Sequence, residues 1–321
     1  MPKIVVLDGH VANPGDLSWE DITNLGEVEI YDRTPANQVY ERAKDADILV
    51  VNKVVLDEVI LNRLSGKLKC ICTLATGYNN VDVKTANRWG ITVCNAVGYS
   101  SSSVAQHVFA LLLELTNQVA LNNQSVQNNE WANSMDWSYR KSPMMQLAGK
   151  TMGIYGPGQI GRKVIEIARA FGMKIIATRK NPHAEKPYYV KIVDLPTLFG
   201  KSDVLTLHAP LTYENREVVN RRTLSLMKPT AFLINTGRGG LVNESDLREA
   251  LLQGWIAGAG LDVLSEEPPP KDHPLLKIPN CIITPHQAWG TKESRANLLY
   301  IVAQNIAAFL EGKPQNVVEV D

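Results

Sequence analysis

The segment Gly156-Pro157-Gly158-Gln159-Ile160-Gly161 constrains this chain more than any other. It follows an apolar run over residues 152–155 and opens a helical pattern over residues 162–171. At this spacing the first glycine permits a tight turn. The second lets backbone approach a ligand, and the third lets the helix pack closely on the strand. Such a loop belongs to the first turn of a strand–helix–strand unit, which calls for a parallel sheet with crossover helices. The rest of the chain agrees. Residues 4–7, 48–51 and 68–74 read as strands of a first series, with helical spacing over residues 36–43 and 56–64 between them. A second series runs through residues 152–155, 174–177, 204–207, 231–234 and 259–263. The expected fold class is α/β: two doubly wound, Rossmann-like parallel-sheet domains.

Between the two series lies a helix over about residues 103–118, apolar nearly all round through Val104, Ala105, Val108, Phe109, Leu111, Leu112, Leu113 and Leu115. A helix without a polar face must be covered on more than one side. Its expected place is therefore between domains or between subunits. Nine of the 17 residues from 117 to 133 are Asn or Gln, which suits a solvated helix end better than a ligand site.

A length of 321 residues suits about two domains. With 33 basic and 33 acidic residues the formal net charge is zero, which argues against nucleic acid or an anionic membrane surface as partner. No run approaches the roughly 20 apolar residues that span a bilayer, and residues 1–7 do not follow a leader pattern. The four cysteines, Cys70, Cys72, Cys94 and Cys281, are too scattered for a disulfide framework. Cys70 and Cys72 share a strand face. Lacking a second ligand pair at metal spacing, they read as core residues, and no metal is expected. A reducing cytoplasm is the expected compartment.

The helix after the glycine loop offers unpaired N–H groups and a favourable dipole to an anion, here a dinucleotide pyrophosphate. Pro157 is compatible, since it lacks only an N–H that a first turn can spare. NAD sites usually end the next strand with an acid that bonds the ribose. Here residues 174–178 lead instead to Arg179 and Lys180. A carboxylate would repel a 2′-phosphate and two cations attract it, so the reading favours NADP. A solvated basic loop is the plain alternative, and a site without an acid also accepts NAD.

Three later segments each put an ionisable residue just beyond a strand's carboxyl end, where open α/β sheets hold ligands. They are Asn235-Thr236-Gly237-Arg238-Gly239, Gly260-Leu261-Asp262-Val263 leading to Glu267-Pro268, and Thr284-Pro285-His286-Gln287-Ala288-Trp289. Taken singly, Arg238 reads equally as a surface cation, Glu267 as a loop acid and His286 as a packed histidine. In this order after the glycine loop, the chain resembles the D-isomer-specific 2-hydroxyacid dehydrogenases over essentially its whole length. Ala75-Thr76-Gly77-Tyr78-Asn79, Ser103-Val104-Ala105 and His208-Ala209-Pro210-Leu211-Thr212 belong to the same resemblance. Asn52-Lys53, the Ala75–Asn79 segment and Pro285-His286-Gln287-Ala288-Trp289 look most like the branch of glycerate dehydrogenases and hydroxypyruvate or glyoxylate reductases.

The resemblance implies an oxidoreductase that reduces small 2-keto acids with NAD(P)H. His286 would give the proton to the new alkoxide, because imidazole titrates near working pH. Glu267 would hold the ring's orientation and favour its charged form. Arg238 would bind the substrate carboxylate or carbonyl through a planar, permanently charged fork. Backbone N–H groups at Thr76 and Gly77 would take the substrate carboxylate. Lys53 would add a second cation, with a surface lysine as the even alternative. Trp137, ahead of Trp131, would enter the pocket of a partner subunit, with packing in a dimer arm as the plainer assignment. His208, Ala209 and Pro210 would line the adenosine, Thr236 and Asp262 would lie near the nicotinamide ribose and carboxamide, and Val104 near its ring. His10, His107, His183 and His273 match no family role and read as structural or solvated.

The same resemblance implies a discontinuous substrate domain, residues 1–98 and 291–321, around a dinucleotide-binding domain at 99–290. The active site would sit in the cleft and the assembly would be a homodimer. Ending at Asp321, the chain is expected to lack an appended regulatory domain. Formate dehydrogenases share the fold but put a glutamine where Glu267 stands. A corepressor-like dinucleotide sensor of the same superfamily is the non-catalytic alternative; it would bind coenzyme without turning over any keto acid.

Overall fold

The computed structural model describes residues 1–179 and 189–318. The chain divides into two units, one of Met1–Ser100 with Trp289–Asp321, the other of Ser101–Ala288. In the first unit five parallel strands, β1 (Lys3–Val6), β2 (Glu27–Ile30), β3 (Ile48–Val51), β4 (Cys70–Thr73) and β5 (Thr92–Cys94), pair in the order β2-β1-β3-β4-β5. Helices α1 (Glu20–Thr23), α2 (Val39–Ala43), α3 (Glu58–Leu64), α4 (Val83–Arg88) and the C-terminal α11 (Lys292–Leu310) flank them. Strand residues alternate between two cores. Val5, Leu49, Ile71 and Val93 pack with Leu61 and Leu64 of α3. Ile4, Val6, Ile48 and Val50, with Cys70, Cys72 and Cys94, pack with Leu298, Val302 and Ile306 of α11. Asp57, Asp82 and Thr291 start α3, α4 and α11 by accepting from Ile60, Thr85 and Ser294 N–H. Each such cap contributes about 0.5–2 kcal/mol.

The second unit holds seven parallel strands, β6 (Thr151–Tyr155), β7 (Lys174–Thr178), β8 (Val190–Ile192), β9 (Val204–Leu207), β10 (Phe232–Asn235), β11 (Gly258–Leu261) and β12 (Cys281–Ile283). Their order is β12-β11-β10-β9-β6-β7-β8. Counted from β6, that is the order 3-2-1-4-5-6-7, which reverses between β6 and β9; dinucleotides bind at such a reversal, outside the strands' carboxyl ends. Helices α5 (Ser101–Asn117), α6 (Val119–Gln127), α7 (Gln159–Ala170), α8 (Leu195–Lys201), α9 (Arg221–Leu224) and α10 (Glu244–Leu252) complete the unit.

The long apolar helix is α5. Within its own unit it packs against α7 and the strands β10 and β11, burying Val108, Leu111, Leu112 and Leu115. At about 1.5–3 kcal/mol per buried side chain, this packing rather than helix propensity holds α5 in place. No single described helix is long and apolar enough to cross a membrane; the bent pair α5–α6 passes that test only by length and composition. The amide-rich α6 is largely solvated, with Ser125 its one buried residue.

Three strands escape the sequence reading. β2 is an edge strand reading Glu-Val-Glu-Ile with no fully buried position. β5 and β8 have only three residues each. Two expected strands are shifted: residues 231–234 become Phe232–Asn235, and 259–263 becomes Gly258–Leu261. Central parallel strands buried on both faces carry no alternation to mark their ends. The helix expected over residues 36–43 begins as a 3-10 turn, Ala36–Gln38.

Candidate active site

The glycine loop joins β6 to α7 at the sheet reversal. Gly156 has φ of +88°, and a Cβ there would lie 2.7 Å from the Ala209 nitrogen, so only glycine suits the turn. A Cβ at Gly161 would meet the Gly156 carbonyl oxygen at 2.7 Å. Gly158 caps α7 with no side-chain bond and faces open space, which leaves first-turn N–H groups available to an anion. Pro157 is half-buried beside it, Gln159 exposed and Ile160 half-buried. Across the reversal, His208, Ala209 and Pro210 follow β9. His208 Nε2 lies 2.9 Å from Thr206 Oγ1, and burial lowers its pKa to about 3, so the ring is neutral at working pH. His208 Nδ1 and Thr236 Oγ1 are buried with no hydrogen-bond partner among the described residues. Two orphaned polar atoms beside a glycine cradle fit a dinucleotide, which would supply their partners. Arg179 follows β7, whose last residue, Thr178, accepts from Gly156 N–H through its carbonyl at 3.1 Å. Lys180 and His183 lie outside the described residues.

Arg238, Glu267 and His286 all belong to the second unit and follow β10, β11 and β12 in turn. His286 Nδ1 lies 2.6 Å from Glu267 Oε2. The other Glu267 oxygen accepts from Leu264 N–H at 3.0 Å, fixing the carboxylate. With Nδ1 engaged, Nε2 is the ring nitrogen that remains for a substrate. Arg238 Nη1 donates to the Gly237 carbonyl at 2.8 Å, which leaves other donors of the guanidinium fork.

Other residues hold this set in place, and sequence patterns reveal few of them. His286 has φ of +49°, a left-handed conformation that costs a non-glycine residue of order 1–3 kcal/mol. Asp262, 1 % exposed, offsets that strain. Its Oδ1 accepts from Thr284 Oγ1 at 2.6 Å and Gln287 N–H at 2.9 Å, its Oδ2 from Ala288 N–H at 2.9 Å, and its carbonyl from His286 N–H at 2.9 Å. Asp262 is thus the residue whose carboxylate holds the His286 turn. His107, read from sequence as structural or solvated, supports the same turn with Nε2 2.9 Å from Thr284 Oγ1.

Buried Asn235 clamps the arginine loop, accepting from Gly237 N–H at 3.0 Å and donating to the Arg238 carbonyl at 2.9 Å. Next to it, a Cβ on Gly239 would lie 1.9 Å from the Leu264 carbonyl carbon, so glycine lets the Arg238 and Glu267 loops touch. Glu244 braces the Glu267 loop through Ser265 N–H at 2.7 Å and His273 Nε2 at 3.0 Å. His273 is accordingly buried and bonded.

In the first unit the strand order reverses between β1 and β3, and there the Asp8 carboxylate accepts from the N–H groups of Asn52, Lys53 and Val54 at 2.6–2.9 Å. Burial raises the Asp8 pKa above its ordinary value, and these three bonds oppose that. They fix the backbone of Lys53, whose side chain is exposed. The Thr76–Gly77 turn follows β4; Thr76 Oγ1 donates to the Ala96 carbonyl at 2.7 Å, and Asn95 Nδ2 to the Thr76 carbonyl at 2.7 Å. Val104 is buried on α5. Trp137 is 89 % exposed, and its carbonyl accepts from Nε1 of the also exposed Trp131 at 3.0 Å.

Residues 109–288 match the family described as D-isomer specific 2-hydroxyacid dehydrogenase, NAD binding domain. A hydroxypyruvate reductase of Blautia hydrogenotrophica is 44 % identical over 321 residues, covering 98 % of this chain and 99 % of its own. A glycerate dehydrogenase of Methylorubrum extorquens is 40 % identical over 321 residues, covering 99 % of each. The solved structure of an acyclic imino acid reductase in complex with NADPH and D-Arg aligns over 99 % of this chain and 100 % of its own, with a TM-score of 0.88 and 33 % identity. The dinucleotide that the glycine cradle fits is therefore a nicotinamide dinucleotide. The chain belongs to the D-isomer-specific 2-hydroxyacid dehydrogenase family.

Proposed function

We propose that this protein reduces small 2-keto acids, hydroxypyruvate or glyoxylate, to the corresponding 2-hydroxy acids, with NADPH favoured over NADH. The observation that carries the reading is the 2.6 Å contact between Glu267 and His286 Nδ1, which leaves Nε2 to serve the substrate oxygen. When bound, the reduced nicotinamide supplies the hydride that goes to the keto carbon. His286 Nε2 gives the proton that the resulting alkoxide needs, and takes it back in the oxidation direction. Glu267 keeps the ring oriented through the transfer. Arg238 pairs with the substrate carboxylate or carbonyl and stabilises charge that develops on oxygen. The Thr76–Gly77 backbone and Lys53 take the substrate carboxylate, which makes the first unit the substrate domain and the second the dinucleotide domain. The working form is a homodimer, in which Trp137 serves the partner's pocket, and its compartment is the cytoplasm.

The coenzyme preference rests on Arg179, with Lys180 beside it in sequence, since β7 ends without an acid. A charge-assisted bond to a 2′-phosphate is worth about 1.5–3 kcal/mol, a factor of about 10–150. Arg179→Asp should therefore move the ratio of kcat/KM for NADPH over NADH by at least about tenfold towards NADH. An unchanged ratio in steady-state assays would count against Arg179 as the discriminating residue. Turnover of reduced coenzyme with hydroxypyruvate or glyoxylate tests the substrate class.

A further inference from the structure

Cys70 and Cys72 share one face of β4, as their spacing requires, and Cys94 on β5 joins them. Cys94 is the cross-strand register partner of Cys72. The three sulfurs lie within 4.8 Å of one another, with Cys70 Sγ and Cys72 Sγ 3.8 Å apart. All three residues are fully buried, in the layer where the sheet meets Val302 and Ile306 of α11. Bonds of about 2.3 Å from a central atom to three sulfurs place the sulfurs roughly 3.5–4 Å apart. Closing this triangle therefore needs side-chain shifts of only about 1 Å.

Charge decides which central atom suits the place. A divalent ion on three thiolates leaves a net negative charge in an apolar layer, and an unpaired buried charge is strongly disfavoured. A trivalent centre on three thiolates is neutral. We propose that Cys70, Cys72 and Cys94 form a tris-thiol site for a trivalent thiophilic oxyacid of the arsenite class. The reaction is a condensation. Neutral arsenous acid loses three hydroxyl groups, each cysteine loses its S–H proton, three As–S bonds form and three waters leave. No oxidation state changes and no net charge enters the core. Because the thiols are fully buried, the acid enters through local opening of the first unit. The site spans β4 from its first residue, Cys70, to Cys72, three residues ahead of Ala75, and includes Cys94, the last residue of β5, one ahead of Asn95, whose side chain donates to the Thr76 carbonyl. It stands independently of which keto acid the enzyme reduces.

The test is to incubate the folded protein with arsenite, remove the excess and measure intact mass under non-denaturing conditions. The expected product carries one arsenic in place of three hydrogens per chain, a reading made on the unaltered protein and valid whether or not any variant folds. Cys94→Ala and Cys70→Ala should each lower arsenite retention by about tenfold or more, while Cys281→Ala, in the second unit, should leave it unchanged. Retention only by unfolded protein, no retention at all, or full retention by Cys94→Ala would overturn the proposal. Tighter binding of zinc than of arsenite would overturn the choice of a trivalent centre.

Discussion

His286→Ala should lower kcat by about 10²–10⁴-fold, the usual contribution of a positioned general acid–base group, while dinucleotide affinity stays close to that of the unaltered protein. The two effects separate because His286 is not among the residues expected to contact the coenzyme. Coenzyme contacts are expected from the Gly156–Gly161 loop, the neutral His208 and the orphaned Thr236 hydroxyl. His286 stands on the turn after β12, held by Asp262 and bonded to Glu267. Alanine removes the ring without removing that brace, since the bonds of the turn run through backbone N–H groups and Thr284. Coenzyme binding by fluorescence titration and kcat by absorbance would read the two quantities. Preserved turnover with lost coenzyme binding would contradict the assignment.

Arg238→Gln should cost about 10²–10³-fold in kcat/KM for the keto acid, the penalty typical of removing one donor aimed at developing charge. Glutamine retains a donor but lacks the permanent charge and the fork geometry that match a carboxylate. The loop itself should survive, because Asn235 holds it through the Gly237 N–H and the Arg238 carbonyl, not through the guanidinium. Steady-state kinetics on the keto acid would show the loss. A kcat/KM within twofold of the unaltered protein would remove Arg238 from the substrate site.

Much of this architecture is legible in the chain, for definite physical reasons. The glycine loop declares itself because its geometry tolerates no Cβ at Gly156 or Gly161. Arg238, Glu267 and His286 stand out because each follows a strand's carboxyl end in an order that matches a known family. What escapes notice is held by tertiary contact. Asp8 meets Lys53 across 45 residues, Glu244 meets His273 across 29, and Asp262 meets Gln287 across 25. Nothing local marks any of these pairs. Cys94 joins Cys72 only through strand register. Edge strand β2 hides for another reason: its alternating glutamates face solvent, so its apolar signal is weak. The left-handed backbone of His286 has no sequence signature beyond the residue itself, and Asp262 stabilises it from another strand end.

The measurement that bears most directly on the account is the absorbance of the reduced nicotinamide band with purified protein. NADPH and NADH would each be offered hydroxypyruvate, glyoxylate, pyruvate and a bulky 2-keto acid. The account predicts rapid loss of the band with hydroxypyruvate and glyoxylate, faster with NADPH, and formation of D-glycerate from hydroxypyruvate. Bound coenzyme that no keto acid oxidises would contradict it.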